Sequence, residues 1–262
     1  MKVNNLEYLF GQNWEIVPAG GATGEAFFAK HEEQKLFLKR NSSPFLAVLS
    51  AEGLVPKLVW TKRMENGDVI TAQQWMNGRE LSPSEMNNEK VAKLLKKIHC
   101  SGPLKGMLSR LGKTPLKPEA YFQMIQNELD PDLLEVPSVK EATQFLIKEV
   151  PNVKNQQNVV CHCDVNHNNW LLGENNQLYL IDWDGAIIGD PAIDLGLLLY
   201  SYIPESEWES WIERYGIEFS DDLKMRMKWY VLAQTLASIQ WHKQKSRFPE
   251  MKRWIEFLDK VL

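Results

Sequence analysis

Two short boxes rich in Asp, Asn and His flank one predicted β-hairpin, and this arrangement constrains the fold more than any other stretch of the chain. The first is His162-Cys163-Asp164-Val165-Asn166-His167-Asn168-Asn169, an HxDxxxxN pattern, and the second is Ile181-Asp182-Trp183-Asp184-Gly185. Between them, residues 170–172 and 178–181 read as apolar strands joined by a turn through Gly173 to Asn176. A hairpin returns its chain ends to one edge, so Asp182, ending the second strand, is expected beside Asn169 at the start of the first. Asp and Asn also favour turns for local reasons. Turn propensity does not account for three of them at this order and separation next to two apolar strands.

Upstream of the boxes the pattern is first β, then α. Residues 14–17, 26–29 and 36–39 read as a meander whose first turn is Pro18-Ala19-Gly20-Gly21-Ala22-Thr23-Gly24. Pro44 opens a short helix over 45–51, ended by Gly53, and strands at 57–62 and 69–76 follow around Glu65-Asn66-Gly67-Asp68. Asn77-Gly78 breaks the pattern. Beyond it, Ser82-Pro83-Ser84-Glu85 is a capping box with Pro at the first helical position. Val91, Leu94, Leu95 and Ile98 then fall on one helical face, predicting an amphipathic helix to about His99. Further helices are expected at 118–129, 138–149, 191–203, 205–214, 221–243 and 249–261. The fold class is therefore α+β, with a β-rich N-terminal lobe over 1–77 and a mainly α-helical C-terminal lobe over 78–262.

Bulk properties narrow the function classes. A net charge of −4 with no basic block argues against nucleic-acid binding. The most apolar run, 195–203, is far short of a membrane span, so no membrane insertion is expected. Met1-Lys2-Val3-Asn4-Asn5 lacks the layout of a signal peptide, and Cys100, Cys161 and Cys163 cannot make a disulfide framework. A cytoplasmic location is the natural expectation.

The boxes carry the chemistry. Asp164 follows the apolar run Asn158-Val159-Val160 and can offer a carboxylate to a hydroxyl proton, while Asn169 and Asp182 supply the oxygen donors a hard cation requires. One base and two metal ligands are the minimum set for moving a phosphoryl group from Mg·ATP to an alcohol. Asp184 reaches the same metals directly or through water. Lys39 ends the third strand behind the glycine-rich turn, where an ammonium would neutralise phosphates, and Gly20, Gly21 and Gly24 let the backbone approach them. A zinc site from Cys161, His162, Cys163 and His167 is disfavoured, because adjacent residues on an extended strand face opposite ways. His162 is instead expected to be a buried, hydrogen-bonded scaffold.

These residues resemble the aminoglycoside phosphotransferase/choline kinase superfamily, relatives of the protein kinases. The resemblance runs from the glycine-rich turn through Lys39, Leu94-Leu95-Lys96-Lys97-Ile98-His99, the HxDxxxxN box and Asp182 to Gly189-Asp190-Pro191-Ala192-Ile193-Asp194-Leu195-Gly196. It implies a protein-kinase-like bilobal fold with ATP at the cleft and Mg2+. By position it makes Asp164 the catalytic base, Asn169 and Asp182 the metal ligands, and Lys39 the phosphate-binding lysine. Gln74, Trp75 and Met76 become the hinge beside the adenine, and Asp194 a support for the catalytic loop. Residues 18–27 and 39–44 are similar to the YtmP/CcrZ-type proteins of Gram-positive bacteria, which implies phosphorylation of a ribose, deoxyribose or nucleoside 5-hydroxyl, a cell-cycle role and a cell-division partner.

The chain departs from the pattern in three places. Glu52, the expected partner of the strand lysine, ends a short helix just before Gly53. Asn166 stands where protein kinases place a lysine, and only twelve residues separate Asp182 from Asp194. The last two differences favour a small-molecule acceptor over a protein. Asn166, His167, Trp183, Asp184, Gln234, Gln240, Trp241 and His242 are the candidate acceptor-lining residues; their aromatic faces and amides suit sugar hydroxyls, while choline and aminoglycosides remain open. The competing class is a scaffold protein that binds nucleotide with little catalysis. Retention of Asp164, Asn169, Asp182 and Lys39 together favours the enzyme.

Overall fold

Alternating apolar residues between Glu15 and Gln74 build an antiparallel sheet in the computed structural model, which describes residues 13–20, 26–154 and 157–262. Its strands are β1 (Glu15–Gly20), β2 (Ala26–His31), β3 (Gln34–Arg40), β4 (Leu58–Arg63) and β5 (Val69–Gln74), in the order β1-β2-β3-β5-β4. One face buries Ile16, Phe27, Ala29, Leu38, Ile70 and Ala72, with Trp14, Leu36, Trp60 and Met64 packed against them. Because side chains alternate along a strand, Phe28, Phe37 and Lys39 belong to the opposite face. There Phe28 meets Trp75 edge-on at 4.7 Å and Phe37 at 6.0 Å. Helix α1 (Phe45–Ala51) forms where its two apolar anchors, Phe45 and Leu49, fall one turn apart and are buried.

The chain divides into two compact units, Met1–Glu80 with Trp170–Asp184, and Leu81–Asn169 with Gly185–Leu262. Set beside an expected division after residue 77, the first unit also takes in a short strand and the hairpin. The reason is a third pairing: β6 (Gly78–Glu80) lies against β8 (Trp170–Gly173), which pairs with β9 (Leu178–Leu180). Gly78 permits it, since a Cβ there would sit 2.7 Å from the Leu172 carbonyl oxygen. Leu180 N–H also donates to Leu54 O at 3.0 Å, fastening the hairpin to the segment after α1.

The second unit is mostly helical: α2 (Glu89–His99), α3 (Gly102–Arg110), α4 (Pro118–Glu128), α5 (Pro137–Glu149), α6 (Ala192–Tyr202), α7 (Trp208–Tyr215), α8 (Asp221–Gln244) and α9 (Phe248–Val261). A two-stranded ribbon, β7 (Val159–Cys161) with β10 (Ile187–Gly189), runs through it. Two sequence expectations change here. The capping box at Ser82 opens a 3-10 turn, Pro83–Asn87, and α2 starts afresh at Asn88, whose side chain accepts from Lys90 N–H. Extended Asn88 (ψ 140°) breaks the run because its amide competes for the backbone. Helix α3 lacks a counterpart in the sequence reading. Gly102-Pro103 looks like a breaker, yet Ser101 caps the helix and Pro103 sits in its first turn, where a missing N–H is harmless.

Helices α6 and α8 meet at a glycine. A Cβ on Gly196 would lie 2.7 Å from Met227 O and 3.2 Å from its Cα, backbone atoms that cannot swing aside. Gly196→Ala gains about 1 kcal/mol of helix propensity and loses roughly 2–3 kcal/mol to overpacking. A net loss of about 1–2 kcal/mol is expected, read as a lower urea midpoint at unchanged slope; an unchanged or raised midpoint would refute the close approach. Nearby, Arg226 donates to buried Asp190 at 2.6 Å and to Asp222 at 2.9 Å, and Asp190 accepts Ala192 N–H at 2.9 Å, starting α6. Burial pushes the Asp190 carboxyl up even against the Arg226 charge. Among the described residues no helix is long and apolar enough to cross a membrane.

Candidate functional site

Strand β7 ends at Cys161, and the chain then turns through His162, Cys163 and Asp164. Cys163 adopts a left-handed backbone with φ 68°, which disfavours a side-chain-bearing residue by about 1–2 kcal/mol. Buried Asp194 holds it there: its Oδ1 accepts Cys163 N–H and its Oδ2 accepts His162 N–H, both at 2.8 Å. The His162 ring, fully buried, accepts Asp164 N–H through Nδ1 at 3.2 Å. Three consecutive backbone amides are thus fixed by two side chains. Beyond them, Asn166 Nδ2 donates to Asp164 Oδ1 at 2.6 Å, and Asn169 Nδ2 donates to Asp164 Oδ2 at 2.9 Å and to its backbone carbonyl at 2.8 Å. Both carboxylate oxygens of Asp164 are therefore oriented by amides. The Asn166 carbonyl accepts Asn168 N–H at 3.0 Å, closing the turn that places both amides.

Asp194 owes its charged state to its surroundings. Burial alone would push its carboxyl up, but the hydrogen bond and charge of His99, with His162, outweigh this and hold it below the usual carboxylate value. His99 Nε2 lies 3.1 Å from Asp194 Oδ2, and His99 Nδ1 lies 2.6 Å from the Tyr215 hydroxyl. Cys161 completes a buried group with His99 and Asp194 whose donor atoms could in principle gather a metal. Each of the three is already engaged by protein groups. Burial raises the Cys161 thiol, which stays protonated and donates to Asp190 O at 3.2 Å, while both Asp194 oxygens already accept hydrogen bonds.

In the first unit Lys39 closes a second cluster. Its ammonium donates to Asp184 Oδ2 at 2.9 Å and lies 3.7 Å from Asp182 Oδ1. Asp182 follows β9 in a left-handed conformation, φ 66°, which turns the chain sharply out of the hairpin. The sequence reading had expected Asp184 at a metal or at the acceptor; its carboxylate meets Lys39. Trp183, read as a candidate pocket wall, is buried: its indole N–H donates to Leu180 O at 2.7 Å and its ring meets Phe45 at 5.7 Å. Gln74 ends β5; Trp75 follows it and meets Phe28 on the sheet face that carries Lys39, and Gln74, Trp75 and Met76 also border a concavity of about 1040 Å3 with Leu36 and Trp60. Gly20 ends β1, paired with Ala26, whereas Gly21 and Gly24 lie outside the described residues.

The remaining candidates sit on α8. Gln240 accepts Asp130 N–H at 3.0 Å, and Lys243 bonds Asp130 at 2.8 Å and also Asp132, so this end of α8 fastens the loop after α4. Gln234 is buried with its carbonyl oxygen unpaired. Trp241 is 45% exposed, with the Arg247 guanidinium 5.1 Å above its ring and His242 edge-on at 4.8 Å. Burial pushes the His242 imidazole below its ordinary value. Beside the loop that carries Asp164, the Tyr202 hydroxyl accepts His167 N–H and lies equally near His167 Nδ1, both at 3.1 Å. Tyr202 and Tyr215 carry no functional signal in the sequence, because each ends a helix whose apolar spacing reads as core.

The two residues expected to bind a cation each carry an oxygen donor. Asn169 commits its amide nitrogen to Asp164 and so turns its carbonyl oxygen outward, and Asp182 offers a carboxylate. Both are oxygen ligands of the kind Mg2+ takes.

Known proteins share this architecture. The model of a family described as "Phosphotransferase enzyme family" matches residues 15–230. Choline kinase LicA from Streptococcus pneumoniae is 18% identical, with 98% of this chain and 96% of that one covered and a TM-score of 0.68. Spectinomycin phosphotransferase APH(9)-Ia, solved with ADP and spectinomycin, is 16% identical over 100% of this chain and 98% of its own, at a TM-score of 0.74. The GDP and kanamycin complex of APH(2")-IIia is 13% identical over 98% and 95%, at 0.73. At such identities the likeness is one of fold: a β-sheet N-terminal region with a helical C-terminal part.

Proposed function

The chain belongs to the phosphotransferase enzyme family, and on that premise we propose that it transfers the γ-phosphoryl group of Mg·ATP to a hydroxyl of a small molecule, the 5-hydroxyl of a ribose, deoxyribose or nucleoside. The observation that carries the reading is the Asp164 carboxylate, oriented at both oxygens by Asn166 and Asn169 on a loop whose backbone is pinned from beneath. Asp164 receives the proton of the acceptor hydroxyl as its oxygen bonds to the γ-phosphorus and the bond to the ADP oxygen breaks. Lys39 pairs with phosphate oxygens in exchange for Asp184. Asn169 and Asp182 would each offer an oxygen to Mg2+, which when bound would neutralise charge on the triphosphate. Gln74, Trp75 and Met76 flank the base of the nucleotide.

The neighbours of Asp164 support a neutral, hydroxylated acceptor. They are the amides of Asn166 and Asn169, while the Tyr202 hydroxyl and the His167 ring lie along the same loop. Amide and hydroxyl groups match sugar hydroxyls; a polycation would call for a ring of carboxylates. Residues 18–27 and 39–44 support membership of the YtmP/CcrZ-type subgroup, and with it a role in the cell cycle and a division-protein partner. The test is a metabolite panel incubated with Mg·ATP and read by the mass gain of one phosphate. Phosphorylation of pentoses or nucleosides is expected. Transfer to choline or kanamycin alone would overturn the acceptor, and no transfer to any compound while ATP binds would overturn the reaction.

A further inference from the structure

We infer that Tyr215 is a positioning residue for the phosphoryl-transfer loop, acting at a distance through His99 and Asp194; this rests on the reading of Asp164 as the base. The chain of contacts is continuous and buried. The Tyr215 hydroxyl meets His99 Nδ1 at 2.6 Å, His99 Nε2 meets Asp194 Oδ2 at 3.1 Å, and Asp194 accepts the amides of His162 and Cys163 at 2.8 Å each. Tyr215 is 3% exposed, and the side chains of His99 and Asp194 are 1% and 0% exposed. No water competes for these bonds, so each group settles the next.

The direction of the bonds follows from donor and acceptor capacity. A carboxylate only accepts, so His99 must carry its proton on Nε2 toward Asp194. Its Nδ1 meets the Tyr215 hydroxyl at 2.6 Å, so the two ring nitrogens are held from opposite sides. Burial pushes the Tyr215 hydroxyl pKa up, so the group stays protonated and able to donate. The Trp211 ring stacked at 6.2 Å and the Lys96 ammonium 5.0 Å from the Tyr215 ring centroid hold the phenol in place. Without that hydroxyl only Asp194 holds the His99 ring, which is then free to rotate about its Cβ–Cγ bond. A rotated ring lengthens the Nε2–H bond to Asp194, and the clamp on the left-handed turn before Asp164 loosens. The device sets the geometry of the base and leaves nucleotide binding alone.

Tyr215→Phe removes one oxygen from a ring that stays packed, so it isolates the hydrogen bond. In the full-length protein kcat should fall about tenfold, the scale of one buried hydrogen bond, with nucleotide Kd within twofold of wild type. In a His99→Leu background the same substitution should add nothing, because the two residues act in series. His99→Gln, whose amide can donate to Asp194 and accept from Tyr215, should recover most of the kcat lost in His99→Leu. Imidazole 1H–15N spectra of the five histidines should show the His99 Nε2–H slow to exchange with solvent in wild type and faster in Tyr215→Phe. Wild-type kcat in Tyr215→Phe, or an equal tenfold loss in both backgrounds, would overturn the proposal. If no acceptor supports turnover, the spectra decide alone: an unchanged exchange rate of the His99 Nε2–H overturns it, and a faster one sustains it.

Discussion

Asp164→Asn should bind nucleotide as the wild type does and lose about a thousandfold in kcat, the middle of the range for removing a general base. The substitution keeps size and shape and leaves one oxygen to accept an amide from Asn166 or Asn169. It removes the only function a neutral side chain cannot replace, the capture of the acceptor proton. The loop itself should survive, since its backbone is held by Asp194 and His162 through groups other than the Asp164 side chain. Pre-steady-state kinetics with isothermal titration of ADP separates the two effects. A loss below tenfold would mean that the proton leaves by another route, such as the transferred phosphate, and that Asp164 only orients the hydroxyl.

The largest expected effect on stability belongs to Asp194→Ala. It strands three buried donors at once: the amides of His162 and Cys163 and the Nε2–H of His99. At roughly 1–3 kcal/mol for each buried donor left unsatisfied, the loss is about 5 kcal/mol, comparable with the whole stability of many domains. For a chain of this size that lowers Tm by roughly 15 °C. The pH dependence has a definite sign. The Asp194 carboxyl is held below its ordinary value near 3.8 in the folded state, so its contribution is complete above that value and lost as pH falls through the folded pKa. The stability gap between wild type and Asp194→Ala should be flat from neutral pH down to about pH 4 and narrow below it. A gap that widens on acidification, or a variant as stable as wild type at pH 7, would show that the clamp does not bear on folding.

Much of this could be read before any coordinates. The strand and helix pattern followed from two periodicities, and α1 coincides with its expected span because Pro44 and Gly53 bracket two apolar anchors. His162 is buried and hydrogen-bonded, as expected of a scaffold residue once a metal was set aside. Other features were illegible for identifiable reasons. Strands β6 and β10 are three residues each, too short for any period to register. Helix α3 was hidden because Gly-Pro marks a break and an N-terminus equally well. Lys39 offered no sign of its partner: Glu52, thirteen positions on, ends a short helix just before Gly53, which already made that pairing doubtful, and the carboxylate Lys39 meets is Asp184, 145 positions away.

By itself the sequence determined the chemistry of this protein. Asp164, Asn166 and Asn169 lie within six residues, so a local turn brings them together and their spacing reports it directly. The tertiary structure alone decided how that chemistry is held. Asp194 reaches the loop across 31 and 32 residues, His99 meets Asp194 across 95, and Tyr215 meets His99 across 116. Gly78 and Gly196 matter because of backbones that approach them from distant segments. Helical and strand periods encode which face is apolar, but not which buried polar group will find another once the faces pack. That matching is settled by the desolvation penalty of unpaired groups, a property of the assembled core.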